Sequence, residues 1–235
     1  MTATSKRPFP PLQPASTADA FAIRDNDWAA FRQLERVDDH WTLKRWAPEQ
    51  SGFYWYLTFD DPALVDLVGR CQKELADDGI DPVPLDGLHL TMLSIGKSDD
   101  LSDAQLSTIV DTARPHLAEI SPFALDVGPL TGSRSALRFS VTPWDGLLAL
   151  HSALRDATAA ERSGPELSET SQFRPHVGIG YINTPQSASR LIEDVKALRD
   201  FPPVTASVNE VRLVQLRREG RCYRWTDRAV VPLGT

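Results

Sequence analysis

Cysteine is scarce in this sequence. The 235 residues include two cysteines, Cys71 and Cys222, which lie far apart and outside any metal-binding or redox spacing. Apolar runs of about 18 residues are also missing, which argues against a membrane-spanning helix. The segment 1–14 lacks the basic and then apolar pattern of a secretory signal. We therefore expect a cytoplasmic protein with reduced thiols, no metal site and no membrane partner.

Basic side chains are in the minority. Lys and Arg number 25 against 32 Asp and Glu, which gives a formal net charge of −7. Coating a long nucleic acid requires a basic surface that neutralises phosphates, so this role is excluded. A small nucleotide or an RNA end held in a locally basic pocket remains compatible with the charge. The apolar content of 41% is enough for one large domain or two small lobes.

Five histidines are present, and two of them stand in strand-like runs 87 residues apart, at positions 89 and 176. These runs are His89-Leu90-Thr91-Met92 and His176-Val177-Gly178-Ile179. A strand, a helix, the histidine strand and a second helix follow one another in both halves of the chain. This order predicts an internal duplication. In the first half, the predicted strands are 53–59 and 88–95 and the predicted helices are 62–79 and 102–117. In the second half, the predicted strands are 136–142 and 173–182 and the predicted helices are 147–160 and 186–198.

The repeated pattern predicts an α+β, bilobal fold: two pseudo-symmetric antiparallel β-sheets line a central cleft, and helices lie on the outside. We expect residues 1–20 to form a flexible N-terminal tail. We expect residues 21–51 to form a helical extension that packs on the bilobal domain, with one helix over 26–41 capped by Asp27. Residues 52–235 predict the bilobal domain, closed by two long strands at 205–217 and 222–231.

The two histidine strands indicate acid–base chemistry. Alternation groups the side chains that share a face as His89, Thr91 and Leu93 on the first strand and His176, Gly178 and Gly180 on the second. One neutral imidazole can take a proton from a nucleophile while a protonated partner gives one to a leaving oxygen. A hydroxyl beside each histidine would hold a phosphate oxygen.

These features resemble the 2H phosphoesterase superfamily, in the branch of 2′-5′ RNA ligase and cyclic phosphodiesterase-like proteins. The resemblance covers residues 52–231 and includes the paired motif, the Phe173-Arg174-Pro175-His176 lead-in, a helix containing His151 and the duplicated topology. The family pattern is His-x-Thr/Ser-x, twice. The resemblance implies an enzyme that needs no metal and no cofactor. Its substrate would be a 2′,3′-cyclic phosphate or a 2′-5′ linkage of a small nucleotide or RNA terminus, and we expect a monomer. His89, Thr91 and His176 carry over as catalytic residues.

Gly178 departs from the family pattern, because it stands where the second hydroxyl is expected. Losing one charge-assisted phosphate contact removes about 1.5–3 kcal/mol of stabilisation. Two interpretations follow: an enzyme with a different or reduced activity, or a 2H-fold protein that binds a nucleotide or RNA end with catalysis weakened or lost. Hydrolysis of a phosphodiester in a non-nucleotide metabolite is a third.

Further substrate-binding candidates flank the motifs. Besides Gly178, they are Arg174, Tyr54, Tyr56 and Arg138. Each has a plain alternative: a surface ion pair for Arg174, solvated surface for Arg138, and packing under the N-terminal segment for the two tyrosines.

Two other aromatic residues are expected away from the site. Trp225 is expected in the core. Tyr181 is expected on the face opposite His176 unless a β-bulge intervenes.

Overall fold

The computed structural model describes residues 8–44, 46–47, 49–76, 79–162 and 164–234. Its helices are α1 (Ala20–Arg32), α2 (His40–Lys44), α3 (Pro62–Glu74), α4 (Asp103–Ala118), α5 (Asp145–Glu161) and α6 (Ala188–Ala197). Its strands are β1 (Arg36–Val37), β2 (Ser51–Thr58), β3 (Ile80–Pro82), β4 (His89–Lys97), β5 (Phe123–Gly132), β6 (Ala136–Thr142), β7 (His176–Ile182), β8 (Gln186–Ser187), β9 (Val204–Val208), β10 (Glu210–Glu219) and β11 (Cys222–Pro232).

Two antiparallel sheets carry the two histidine strands. One has the order β11-β10-β2-β4, and the other has the order β3-β7-β6-β5-β9. Strands β4 and β7 contact each other where the two sheets meet. The α+β fold with two antiparallel sheets predicted from the sequence is confirmed.

The core lies on one face of each sheet, between strands and helices. Trp55 of β2 and Phe139 of β6 are both almost fully buried in it. Helix α5 packs on β4, and α4 packs on α5 and β11. Alternate residues of the strands point away from this core, which leaves the opposite faces to build the cleft.

Helix starts follow the local capping chemistry. The Asp61 carboxylate accepts hydrogen bonds from the first backbone amides of α3, and Pro62 occupies its first turn. Ser102 and Gln105 form a capping box at the start of α4. Both helix starts agree with the sequence prediction.

The predicted helix over 26–41 is wrong. Helix α1 begins earlier, at Ala20, because Asp19 accepts the capping hydrogen bond from the Phe21 amide. It ends at Arg32, and a separate short helix, α2, begins at His40. Asp27 does not cap a helix but lies inside α1 with 3% of its surface exposed.

Helix α1 lies on the face of the second sheet that also carries His176. Ser140 is the cross-strand partner of His176, and its hydroxyl donates to the Asp27 carboxylate at 2.7 Å. The segment before α1, predicted as part of a flexible tail, also contacts the body, since the Trp144 amide donates to the Thr17 carbonyl. Residues 1–7 lie outside the described residues.

The predicted closing strand over 205–217 is two strands, divided at Asn209. Strand β9 pairs with β5 in one sheet, whereas β10 pairs with β2 in the other. The alternation of buried residues changes phase here, from Ala206 and Val208 to Val211 and Leu213, because two polar residues, Asn209 and Glu210, stand between the strands.

Candidate active site

His89 stands at the first position of β4, held by its backbone and by two aromatic rings. Its Nδ1 donates to the carbonyl of Gly87 at 2.8 Å. The ring stacks on Tyr56, with centroids 4.3 Å apart and planes 12° from parallel. The Trp225 ring packs edge to face with the His89 ring, and the two ring centroids lie 5.2 Å apart. Burial lowers the pKa of His89, and the Gly87 carbonyl acts in the opposite direction.

His176, at the first position of β7, has the same anchor. Its Nδ1 donates to the carbonyl of Arg174 at 2.8 Å, again two residues earlier in the chain. A carbonyl only accepts, so Nδ1 carries the proton in both histidines and Nε2 is the nitrogen left to act on a ligand. Burial and then the Arg138 cation lower the pKa of His176 to about 3.

The two imidazoles lie within electrostatic range of each other. Strands β4 and β7 contact each other, and the charge of His89 contributes to the lowered pKa of His176. Both side chains are half-buried. They are therefore neither sealed in the core nor fully in solvent.

Thr91 is exposed on the same face of β4 as His89. Beyond it the expected alternation fails, because the register between β2 and β4 shifts at the step from Tyr56 to Trp55. The predicted cleft position of Leu93 is therefore wrong, since this side chain is only 2% exposed in the core. Ser94 takes the exposed place.

Gly178 faces open space: a Cβ built on it would have no neighbouring atom within 4 Å. Gly180 differs, because a Cβ there would lie 2.9 Å from the side chain of Ile80. Only Gly178 leaves room beside His176. The prediction that Gly180 lies on the same open face as His176 and Gly178 is therefore wrong.

A register shift between β6 and β7 explains this difference. It falls between the pairs Arg138–Gly178 and Leu137–Gly180, which is the bulge that Tyr181 requires to change faces. The Tyr181 ring accordingly lies 5.4 Å from that of Tyr223 in the other sheet.

Arg138 is a buried cation beside His176, and the alternative of a solvated surface residue is wrong. It is 3% exposed and donates through Nη2 to the Phe9 carbonyl at 3.0 Å. Nη1 lies 3.4 Å from Nδ1 of His176, and the Asp27 carboxylate lies 3.8 Å away. Because that Nδ1 already donates to a carbonyl, Arg138 acts on the imidazole through its charge.

Arg174 makes no described ion pair. Its guanidinium donates to the backbone carbonyls of Pro10, Ser171 and Phe173. The segment that precedes α1 therefore engages both candidate arginines, Arg138 and Arg174.

The two candidate tyrosines have different surroundings. Tyr56 is 2% exposed and supports the His89 ring. Tyr54 packs under the N-terminal segment, with its ring centroid 6.5 Å from that of Trp46. Burial raises the pKa of both phenols, and hydrogen bonding with Thr91 counteracts this effect at Tyr56.

Three residues near the site were not predicted for it. Trp225 contacts His89 instead of filling the core. His40 stacks on Tyr181 at 4.2 Å, and its Nε2 lies 3.2 Å from the Tyr223 hydroxyl. Burial and then the Lys44 charge lower the pKa of His40 to about 3. No local sequence signal marks His40 or Lys44, because contacts with residues far away in the chain set the position of α2.

In the part of the chain that the structure describes, no group of three or more His, Cys, Asp or Glu side chains could hold a metal ion. Across the same residues, no helix combines the length and apolar character needed to cross a membrane.

The fold is similar to that of several solved structures. Escherichia coli LigT in apo form matches with a TM-score of 0.59 and 18% identity, over 80% of this chain and 99% of LigT. The structure of LigT complexed with NADP+ matches with a TM-score of 0.58 and 18% identity, over 80% and 100%. The TT0787 protein of Thermus thermophilus matches with a TM-score of 0.56 and 16% identity, over 77% and 97%. No curated protein sequence matches significantly.

A sequence model of the 2′-5′ RNA ligase superfamily matches residues 59–220. The chain belongs to this superfamily of 2H phosphoesterases. The matched segment contains both histidine motifs and leaves out α1, β1, α2 and β2 on one side and β11 on the other.

Proposed function

We propose that the protein is a phosphoesterase that opens a 2′,3′-cyclic phosphate, or cleaves or forms a 2′-5′ linkage, on a small nucleotide or RNA end. The observation that carries this proposal is the matched anchoring of His89 and His176 on contacting strands, each through Nδ1 to a carbonyl 2.8 Å away. Two imidazoles that both present Nε2 can serve a reaction that needs one proton removed and another delivered. No metal is required for this step.

The surroundings of the two rings suggest their roles in hydrolysis. The Arg138 cation favours the neutral form of His176, so His176 is the general base. Its Nε2 takes a proton from water as the water oxygen bonds to phosphorus. His89 is the acid: its Nε2 proton passes to the ribose oxygen as the phosphorus–oxygen bond breaks. The bound phosphate anion favours the imidazolium that this role requires.

Thr91 is proposed to position the phosphate. Its side chain is exposed next to His89 on β4, and a hydroxyl donates well to a non-bridging oxygen as negative charge develops there. Trp225 and Tyr56 hold the His89 ring in orientation through aromatic contact.

A small nucleotide is the substrate class that the structural likeness favours. LigT of Escherichia coli has been crystallised with NADP+, 3′-AMP and ATP. By analogy, the cleft of this chain would accept a ligand with one nucleoside and its phosphate.

Gly178 favours a second candidate, a nucleotide- or RNA-end-binding protein with weakened catalysis. A hydroxyl is absent from the position beside His176 where the family pattern places one. Binding with retained affinity but negligible turnover would identify this function.

Turnover of 2′,3′-cyclic nucleotides, measured with and without a chelator, tests the proposal. We expect His89→Ala and His176→Ala to lower kcat by about 10²–10⁴-fold, since each removes one proton transfer. His116→Ala is the matched control, because His116 is exposed on α4. Equal activity in all variants would defeat the enzyme proposal for these substrates, and loss of turnover on adding the chelator would defeat the metal-independent mechanism.

A further inference from the structure

The two histidine strands carry β-bulges at equivalent positions. In β4 the extra residue is Met92, which has no partner in the register with β2. In β7 the extra residue is Ile179, which has no partner in the register with β6. Each is the third residue after the histidine that begins its strand. A bulge re-aims the side chains that follow it and is frequent next to active sites, so both strands change their face pattern at the same step.

Beyond the bulges, Ser94 and Tyr181 are the fifth residues after the two histidines. Ser94 is the cross-strand partner of Tyr54, and direct partners of an antiparallel pair share a face. The Tyr54 ring lies 5.8 Å from that of Tyr56, which stacks on His89. The side chain of Ser94 therefore lies on the cleft face of β4, on the same side as His89.

The two equivalent positions differ in the space that they leave. On β7, the Tyr181 ring is covered by other rings, since its centroid lies 4.2 Å from that of His40 and 5.4 Å from that of Tyr223. On β4, the small side chain of Ser94 is exposed although it lies on the cleft face. Room for the larger part of a ligand is thus found on the His89 side of the cleft.

The Ser94 hydroxyl is supported in the same way as that of Thr91. Hydrogen bonding with Ser94 opposes the rise that burial causes in the pKa of Tyr54, and hydrogen bonding with Thr91 does so for Tyr56. Tyr54 in turn packs against Trp46, with ring centroids 6.5 Å apart. Two hydroxyls on the cleft face of β4 are therefore each held beside a phenol of β2.

We propose that Ser94 binds the nucleoside whose phosphate is held by Thr91 and the two histidines. The partners of Thr91 and Ser94 are two residues apart on β2, which separates the two side chains by about 7 Å. In a nucleotide, the sugar separates the phosphate from the base by a similar distance. A hydroxyl both donates and accepts, so it suits the polar groups of a nucleoside.

This inference rests on the proposed function, because it names the residue that holds another part of the same substrate. It agrees with the proposed role of His89, which delivers its proton to the ribose oxygen. The ribose and the nucleoside base would then lie along β4, on the same side as the acid.

Binding of 3′-AMP and of inorganic phosphate, measured side by side by calorimetry, tests the inference without turnover. We expect Ser94→Ala to weaken 3′-AMP binding about 3- to 10-fold through loss of one neutral hydrogen bond, with phosphate affinity within about twofold of the wild type. Ser107→Ala is the matched control, because Ser107 is exposed on α4, and it should leave both affinities unchanged. Thermal unfolding of each variant checks that the fold is retained.

A larger side chain at the same position gives a second test. Ser94→Leu fills the open space with an apolar group, so it should weaken 3′-AMP binding more than Ser94→Ala does, again with little effect on inorganic phosphate. Unchanged 3′-AMP affinity in both variants, or an equal loss for 3′-AMP and phosphate, would show that the nucleoside lies elsewhere.

The outcomes separate this inference from the proposed function. Selective loss of 3′-AMP affinity in Ser94→Ala, in a chain that turns over no cyclic nucleotide, supports the inference and contradicts the enzyme. Turnover that depends on His89 and His176, with KM and 3′-AMP affinity unchanged in Ser94→Ala, overturns the inference alone. A wild-type chain that does not bind 3′-AMP overturns it as well.

Discussion

Arg138 holds a guanidinium nitrogen 3.4 Å from Nδ1 of His176, a nitrogen that already donates to the Arg174 carbonyl. The contact is therefore a cation beside an N–H group, and it penalises protonation of the ring at Nε2. The pKa of His176 is about 3, with burial as the larger cause and Arg138 as the next. This neighbour distinguishes two histidines whose backbone anchors are otherwise alike.

Replacing the cation should raise the pKa of His176. Arg138→Met alone would leave the buried Asp27 carboxylate without its partner, which typically costs about 3–5 kcal/mol. The double variant Arg138→Met/Asp27→Asn avoids this. We expect it to move the pKa of His176 towards its ordinary value, and the acidic limb of the pH–activity profile to higher pH.

Histidine NMR titration measures this change directly. Arg134→Met serves as the control, because Arg134 is exposed in the turn between β5 and β6, and it should leave the His176 titration unmoved. An unchanged pKa in the double variant would contradict the electrostatic role of Arg138.

Gly178→Ser should increase turnover. The added side chain meets no atom within 4 Å of its Cβ, and its hydroxyl would restore a phosphate contact worth about 1.5–3 kcal/mol when charge-assisted. We expect a gain in kcat/KM of about 10-fold on cyclic nucleotides. No gain on any cyclic phosphate or 2′-5′ dinucleotide would remove the missing hydroxyl as a limit on activity.

Gly180→Ser provides the comparison for that variant. Its Cβ would lie 2.9 Å from the Ile80 side chain, so it should lower the melting temperature while Gly178→Ser does not. Similar melting temperatures for the two variants would contradict the register described for β7.

Stability should fall on mild acidification because two buried histidines resist protonation. The pKa of His40 is lowered to about 3 and that of His151 to about 4, in both cases mainly by burial. The unfolded chain binds these protons near pH 6.5, so the folded state loses stability as the pH drops below that value. At pH 5, His40 and His151 should each lower the free energy of unfolding by on the order of 1–2 kcal/mol.

Urea unfolding at pH 7 and pH 5 measures this loss. In His151→Gln the difference between the two pH values should shrink, whereas in His116→Ala, which alters an exposed residue of α4, it should remain. A wild-type unfolding free energy that does not change between these pH values would contradict the burial of both imidazoles.

Trp225→Leu should impair catalysis more than binding. The centroid of the Trp225 ring lies 5.2 Å from that of His89, and Trp225 lines a groove of about 410 Å³ together with Leu88 and Thr58. Without it, His89 loses one of the two aromatic walls that orient its Nε2. We expect kcat to fall about 10-fold, in line with the loss of alignment for one proton transfer.

Steady-state kinetics separates the two effects of Trp225→Leu. An increase in KM with unchanged kcat would instead make Trp225 a substrate contact. Trp28→Leu, a change in α1 at a ring covered by the Arg199 guanidinium, is the control for loss of a large aromatic side chain and should leave kcat unchanged.

The sequence alone determined the two histidine motifs, the repeated strand–helix order and the antiparallel α+β fold. These features are encoded locally, because side-chain alternation along a strand and capping at a helix start depend on neighbours within a few residues. The predicted starts of the helix at 102 and of the strand at 136 agree with the structure for this reason.

The tertiary structure decided which side chains meet in the cleft. The register shifts in β4 and β7 bury Leu93, expose Ser94 and turn Tyr181 towards the other sheet, and a shift of register is fixed by the partner strand. The Asp27 carboxylate lies beside Arg138 because α1 folds back on the second sheet, and His40 lies against Tyr181 because α2 does so too. Such contacts join residues far apart in the chain, so no local pattern records them.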